Sequence, residues 1–134
     1  MVGGAGIVVQ SLRNNLSSYK GCEVVVVFLS LRENANRFAG NDELHVLGLP
    51  GFGRFNSIFI SKLNIEKFDT VVACDHLSVV LLSFVKEKIL RLHILTHGDE
   101  LEEALRNNSF LKKIVGYRRR YLSMCLMAER VIYP

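Results

Sequence analysis

The chain has 134 residues, 49% of them hydrophobic and 22% charged, with only two prolines. That length suits one hydrophobic core, since single cores serve about 100 to 200 residues, and the composition excludes a disordered chain. A formal net charge of +4 is too small to make nucleic acid the expected partner, and the three cysteines, Cys22, Cys74 and Cys125, are too few and too far apart for a disulfide framework or a zinc spacing.

The first glycines, Gly3-Gly4-Ala5-Gly6, lead into Ile7, Val8, Leu12 and Leu16, with Val9 beside them, at helical spacing. This predicts an amphipathic helix that ends near Tyr19 and is stopped by Lys20-Gly21. Residues 23–29, Glu-Val-Val-Val-Val-Phe-Leu, are β-branched with almost no alternation, which predicts a strand buried on both faces. Residues 32–42 are polar and read as a loop, and residues 44–49 as a shorter strand broken by Pro50-Gly51-Phe52-Gly53.

A helix over 56–63 then leads to a second buried-type strand over 68–74, Phe-Asp-Thr-Val-Val-Ala-Cys, and a helix over 77–88. A further strand over 92–96 is broken by His97-Gly98, after which Asp99 is placed to cap an acidic helix. A basic helix over 117–128 and a final strand over 129–133 complete the chain. Apart from the loop over 32–42 and the two successive helices after Asp99, helix and strand alternate. The expected fold class is therefore α/β, a Rossmann-like, mostly parallel sheet with helices on both faces and right-handed crossovers, in a single domain spanning 1–134.

Ligands on such sheets bind at the carboxyl ends of the strands, so the loops there carry the candidate chemistry. Glycines before a helix let the backbone approach a ligand while helix N-terminal amides face an anion, which makes Gly4, Ala5 and Gly6 a candidate phosphate-binding turn, the alternative being a plain terminus. His97 could donate to a sugar hydroxyl or a phosphate, with Gly98 allowing close approach, or could simply bond nearby backbone. Asp75 and His76 follow a strand directly. They suit either general acid-base work or, the favoured reading, a helix cap at Asp75. Cys74, at the end of a buried strand, reads as a small hydrophobe, and His45 and His93, within strands, as structural.

The basic residues cluster once, at Lys112, Lys113, Arg118, Arg119 and Arg120. Three successive arginines on a helix point in three directions, so one or two of them could meet a phosphate-bearing acceptor or an anionic membrane surface, the rest forming a solvated face. No apolar run reaches the roughly 18 to 20 residues of a membrane span. The chain opens without the charged and apolar regions of a signal peptide, so a cytoplasmic protein, at most peripheral to a membrane, is expected. No metal is expected.

In order and spacing these segments resemble the N-terminal, acceptor-side domain of family 4 glycosyltransferases of the GT-B fold. Gly3-Gly4-Ala5-Gly6 through Leu16 resembles that family's glycine loop and first helix, and Lys20-Gly21-Cys22-Glu23-Val24 its approach to the second strand. Residues 68–76, the Thr96-His97-Gly98 step and Ala128-Glu129-Arg130-Val131-Ile132 resemble its later strand ends, although Val72 and Cys74 stand where the family often has histidines.

The resemblance implies a retaining transferase that moves a sugar from a nucleotide-sugar donor, used as substrate with no further cofactor, to a lipid, glycan or small-molecule acceptor. It also implies roles: Gly4, Ala5 and Gly6 at the donor diphosphate, His97 and Gly98 at the sugar, and Arg118 and Arg119 toward the acceptor. On this reading the family's first strand and its C-terminal Rossmann domain are missing from the chain, which would be inactive alone. The alternative is a non-catalytic α/β assembly or binding module completed by a partner chain.

Overall fold

The computed structural model describes residues 4–31, 45–49, 64–96, 102, 113 and 116–132. The chain divides into two compact units, Met1–Gly51 and Phe52–Pro134. Both are α/β, and every strand pairing among the described residues is parallel.

In the first unit, α1 spans Gly4–Ser17. The helix therefore starts at Gly4, and Gly4-Ala5-Gly6 forms its first turn, where the sequence suggested a loop ahead of it. Ile7 and Val8 are exposed, while Val9, Leu12 and Leu16 are half-buried, so the apolar stripe read from the spacing is present but only partly covered. The helix closes as expected. The Ser18 and Tyr19 amides donate to the Asn15 and Leu16 carbonyls at 3.3 and 3.1 Å. The Ser18 hydroxyl donates to the Asn15 carbonyl at 2.6 Å. Gly21 follows with φ 81° and open space where a Cβ would stand, so the left-handed backbone, not crowding, is what favours glycine there.

Strand β1, Val27–Leu31, pairs in parallel with β2, His45–Leu49. The expected strand over 23–29 is thus shifted. Val27 lies opposite His45 and Leu31 opposite Leu49, so residues 23–26 precede the first residue of the partner strand and gain no ladder bonds from it. Their β-branched character is real, but a strand exists only where a neighbour runs beside it.

The second unit opens, among the described residues, with a 3-10 turn at Ile65–Lys67. Strand β3, Val71–Ala73, leads to α2, His76–Leu82, and a 3-10 segment, Ser83–Lys88. Strand β4, Leu92–Leu95, comes next; α3, Tyr117–Met127, and β5, Arg130–Ile132, follow after an interval. The sheet order is β3-β4-β5, with Val72 beside His93 and His93 beside Arg130.

The helix expected over 77–88 is broken in two. Ser83 is buried and its hydroxyl donates to the Val80 carbonyl at 2.5 Å, a bond that competes with the helical ladder. Val85 then adopts φ −126°, outside helical space, and the last turns tighten to 3-10.

Strand β4 alternates. Leu92 and Ile94 are buried while His93 and Leu95 are half-buried, and in register with them Ala73 is buried while Val72 is 37% exposed and Ile132 44%. One face of this sheet is therefore packed and the other partly open, in contrast to the expectation of strands buried on both faces. Sequential neighbours joined by right-handed crossovers place both connections over the same face, and α2 and α3 do pack against each other. The core beneath them comprises Val79, Val80, Leu81, Leu92, Ile94, Tyr117, Tyr121 and Met124. Each large apolar side chain buried this fully contributes about 1.5–3 kcal/mol.

Candidate functional site at the carboxyl edge of the second unit

Strand β3 ends at Ala73, and the chain turns through Cys74 and Asp75 into α2. The Asp75 carboxylate is committed to that turn. It accepts from the Ser78 amide at 2.7 Å and from the Ser78 hydroxyl at 2.9 Å, satisfying an amide that the helix itself leaves without a partner. Capping, favoured from the sequence, is what Asp75 does, and an Asp75–His76 acid-base pair is not formed.

His76 is engaged elsewhere. Its Nδ1 hydrogen-bonds the Tyr117 hydroxyl, and the two rings meet edge to face at 5.9 Å between centroids. This contact joins the first residue of α2 to the first residue of α3 and brings Tyr117 to the carboxyl edge of the sheet. His76 is half-buried and Tyr117 buried. The imidazole Nδ1 accepts from the phenol or donates to it according to the tautomer of the ring. Sequence reasoning missed Tyr117. Its only local signal is Gly116, whose φ of 65° starts the helix.

Thr96 follows β4 and is buried. Its amide donates to the Ile132 carbonyl at 2.9 Å and its hydroxyl to the same oxygen at 3.4 Å, so the step before His97 is tied to β5. His97 and Gly98 themselves lie outside the described residues, as do the expected helix over 56–63 and the acidic helix after Asp99. Arg118 and Arg119 are exposed in the first turn of α3, which contains no acidic residue. Arg120 turns inward: its guanidinium lies 3.9 Å from the centroid of the Phe84 ring and donates to the Ser83 hydroxyl at 3.4 Å. Of the three arginines, two face outward and one holds α3 against the 3-10 segment.

Gly4, Ala5 and Gly6 belong to the first unit, whereas Arg118 and Arg119 belong to the second. His93, on the half-open sheet face, stands 3.7 Å from a Glu129 carboxylate oxygen, with Arg91 at 3.7 Å from the other, consistent with the structural part expected of it. Cys74 and Cys125 are half-buried and Cys22 is exposed. Burial pushes the Cys125 thiol above its ordinary range, partly offset by a hydrogen bond with Tyr121. Among the described residues no group of three His, Cys, Asp or Glu side chains could hold a metal ion, and no helix is long and apolar enough to cross a membrane.

These features define a class, an α/β protein whose second unit has, among the described residues, a three-stranded parallel sheet with His76 and Tyr117 at the first positions of the helices that start at its carboxyl edge. No family model, curated protein or solved structure matches the chain significantly.

Proposed function

We propose that the chain is a glycosyltransferase-like domain, the acceptor-side part of a retaining enzyme of the GT-B type. Such an enzyme transfers a sugar from a nucleotide-sugar donor to a lipid, glycan or small acceptor. The observation that carries the reading is the succession of parallel strands and helices in which Cys74-Asp75-His76 and Thr96 follow strand ends, as the resembling motifs require. Gly4, Ala5 and Gly6 near a donor diphosphate, His97 and Gly98 at the sugar, and Arg118 and Arg119 toward the acceptor belong to the same proposal.

In this reading the domain supplies no general base. Catalysis relies on electrostatic stabilisation of the leaving diphosphate, with most contacts to the nucleotide sugar made by a C-terminal Rossmann domain or a partner chain. The exposed arginines would meet an acceptor phosphate or an anionic membrane surface.

The test is hexose transfer from labelled nucleotide sugars, assayed with a nucleotide-sugar-binding Rossmann domain supplied in cis or in trans. His97→Ala is expected to lower turnover at least tenfold, the scale of one lost transition-state contact. Wild-type turnover in that variant would remove His97 from the mechanism. A stable dimer by light scattering that binds no nucleotide sugar would instead favour a non-catalytic assembly module.

A further inference from the structure

Helix α3 buries Tyr117, Tyr121 and Met124, successive turns of the side that meets the core. The opposite line of a surface helix is ordinarily polar. In α3 that line is Arg119, Leu122 and Leu126, flanked by Arg118 and Met127, and all five are exposed. Leu126 is 89% exposed, and Leu122 and Met127 are 38% exposed each. A single exposed leucine is ordinary, whereas apolar side chains lined up along the outward crest of a helix mark a surface that meets something other than water.

The charge on this face has one sign. The sequence of α3 contains no aspartate or glutamate, and Lys113, also exposed, is held just ahead of the helix, where its carbonyl accepts from the Gly116 amide at 3.1 Å. Cations beside exposed leucines complement an anionic lipid surface, with guanidinium groups at the phosphates of the headgroups and leucine at the boundary with the acyl chains. A second copy of the chain is the poorer occupant, since three apolar side chains bury far less than the roughly 1,200 Å² of the smaller stable interfaces.

We propose that the outward face of α3, Arg118, Arg119, Leu122, Leu126 and Met127, docks the second unit on an anionic lipid bilayer, with the helix lying parallel to the membrane surface. This face rests on the same exposed arginines that the proposed function turns toward an acceptor or a membrane, and it adds the apolar residues. Vesicle binding is read without donor or acceptor, so its failure and that of sugar transfer are separate results.

The chain contains no tryptophan, so Leu126→Trp places a single fluorescent reporter on the face. Val72→Trp places another on the open face of the sheet, the side away from α3. Each full-length variant is titrated with vesicles of phosphatidylcholine alone and of phosphatidylcholine mixed with phosphatidylglycerol, and cosedimentation of the wild-type chain is measured alongside. The expected result is a saturable blue shift of the Leu126→Trp emission with the anionic vesicles only, the Val72→Trp emission staying unmoved, and wild-type cosedimentation that weakens as salt rises. Arg119→Gln should weaken cosedimentation about fivefold, the worth of one basic residue near an anionic surface. Arg130→Gln, which removes the same charge from the open sheet face, should change it little. Leu126→Ser should weaken it several-fold with an unchanged circular dichroism spectrum. Absence of wild-type cosedimentation with anionic vesicles, an unshifted Leu126→Trp emission, equal losses in Arg119→Gln and Arg130→Gln, or a lipid-free dimer that Leu126→Ser dissociates would each overturn the proposal.

Discussion

The described side chains of the two units differ in how far they are buried. In the second, α2, α3 and β4 contribute side chains that are almost wholly removed from water, Met124 at 0% exposure among them. None of the described side chains of the first unit is buried, and Ile7 in α1 is 63% exposed. Amphipathic spacing builds a helix in either place, but only closure of an apolar stripe against a second layer turns periodicity into stability. The chemistry of the second unit rests on that closure, since the rings of His76 and Tyr117 are brought together by the packing of α2 on α3.

The largest test of this contrast is a pair of truncations followed by chemical denaturation. Met124→Ala should cost about 2–5 kcal/mol, because it opens a cavity in a packed core, and Ile7→Ala should stay within about 0.5 kcal/mol. Equal costs would erase the distinction between the units.

Next in size is Arg120→Ala. It removes a cation–π contact over Phe84 and a hydrogen bond to Ser83, and about 1–2 kcal/mol is expected from the same assay. Arg118→Ala and Arg119→Ala, on the outward face, should leave stability nearly unchanged. Asp75→Ala should cost about 1 kcal/mol through loss of the helix cap, with Asp75→Asn recovering most of it.

The smallest effects concern Cys125. Its raised thiol makes it a poor nucleophile, so alkylation near neutral pH should be slower than at exposed Cys22. The folded chain holds that proton more tightly than the unfolded chain does. The linked stability is present below the ordinary thiol range and is lost as pH rises from that range through the raised folded value. Cys125→Ser should remove this alkaline slope.

The sequence made the elements legible and left their ends obscure. Strands do lie within or across the apolar runs read as β1, β3 and β4, yet β1 begins at Val27, opposite His45, and the sheet of β3 and β4 is packed on one face only. The end of α2 depended on a Ser83 hydroxyl bond and a single non-helical residue, Val85, and composition signals neither. Asp75 was readable as a cap since its partner lies three residues on. The partner of His76 lies 41 residues away, and no local pattern ties it to Tyr117. Contacts of that kind are created by the packing of helices on a sheet, so the site emerges only once the fold is known.

Residue-resolved native-state hydrogen exchange tests the central claim most directly, namely that the second unit's parallel sheet is the stable frame behind its carboxyl-edge chemistry. Amides fixed by that frame, those of Val71 bonded to Arg91, Thr96 bonded to Ile132 and Glu129 bonded to Leu92, should exchange slowly. Those of residues 23–26, outside the β1–β2 ladder, should exchange orders of magnitude faster. Comparable rates in the two groups would contradict the account.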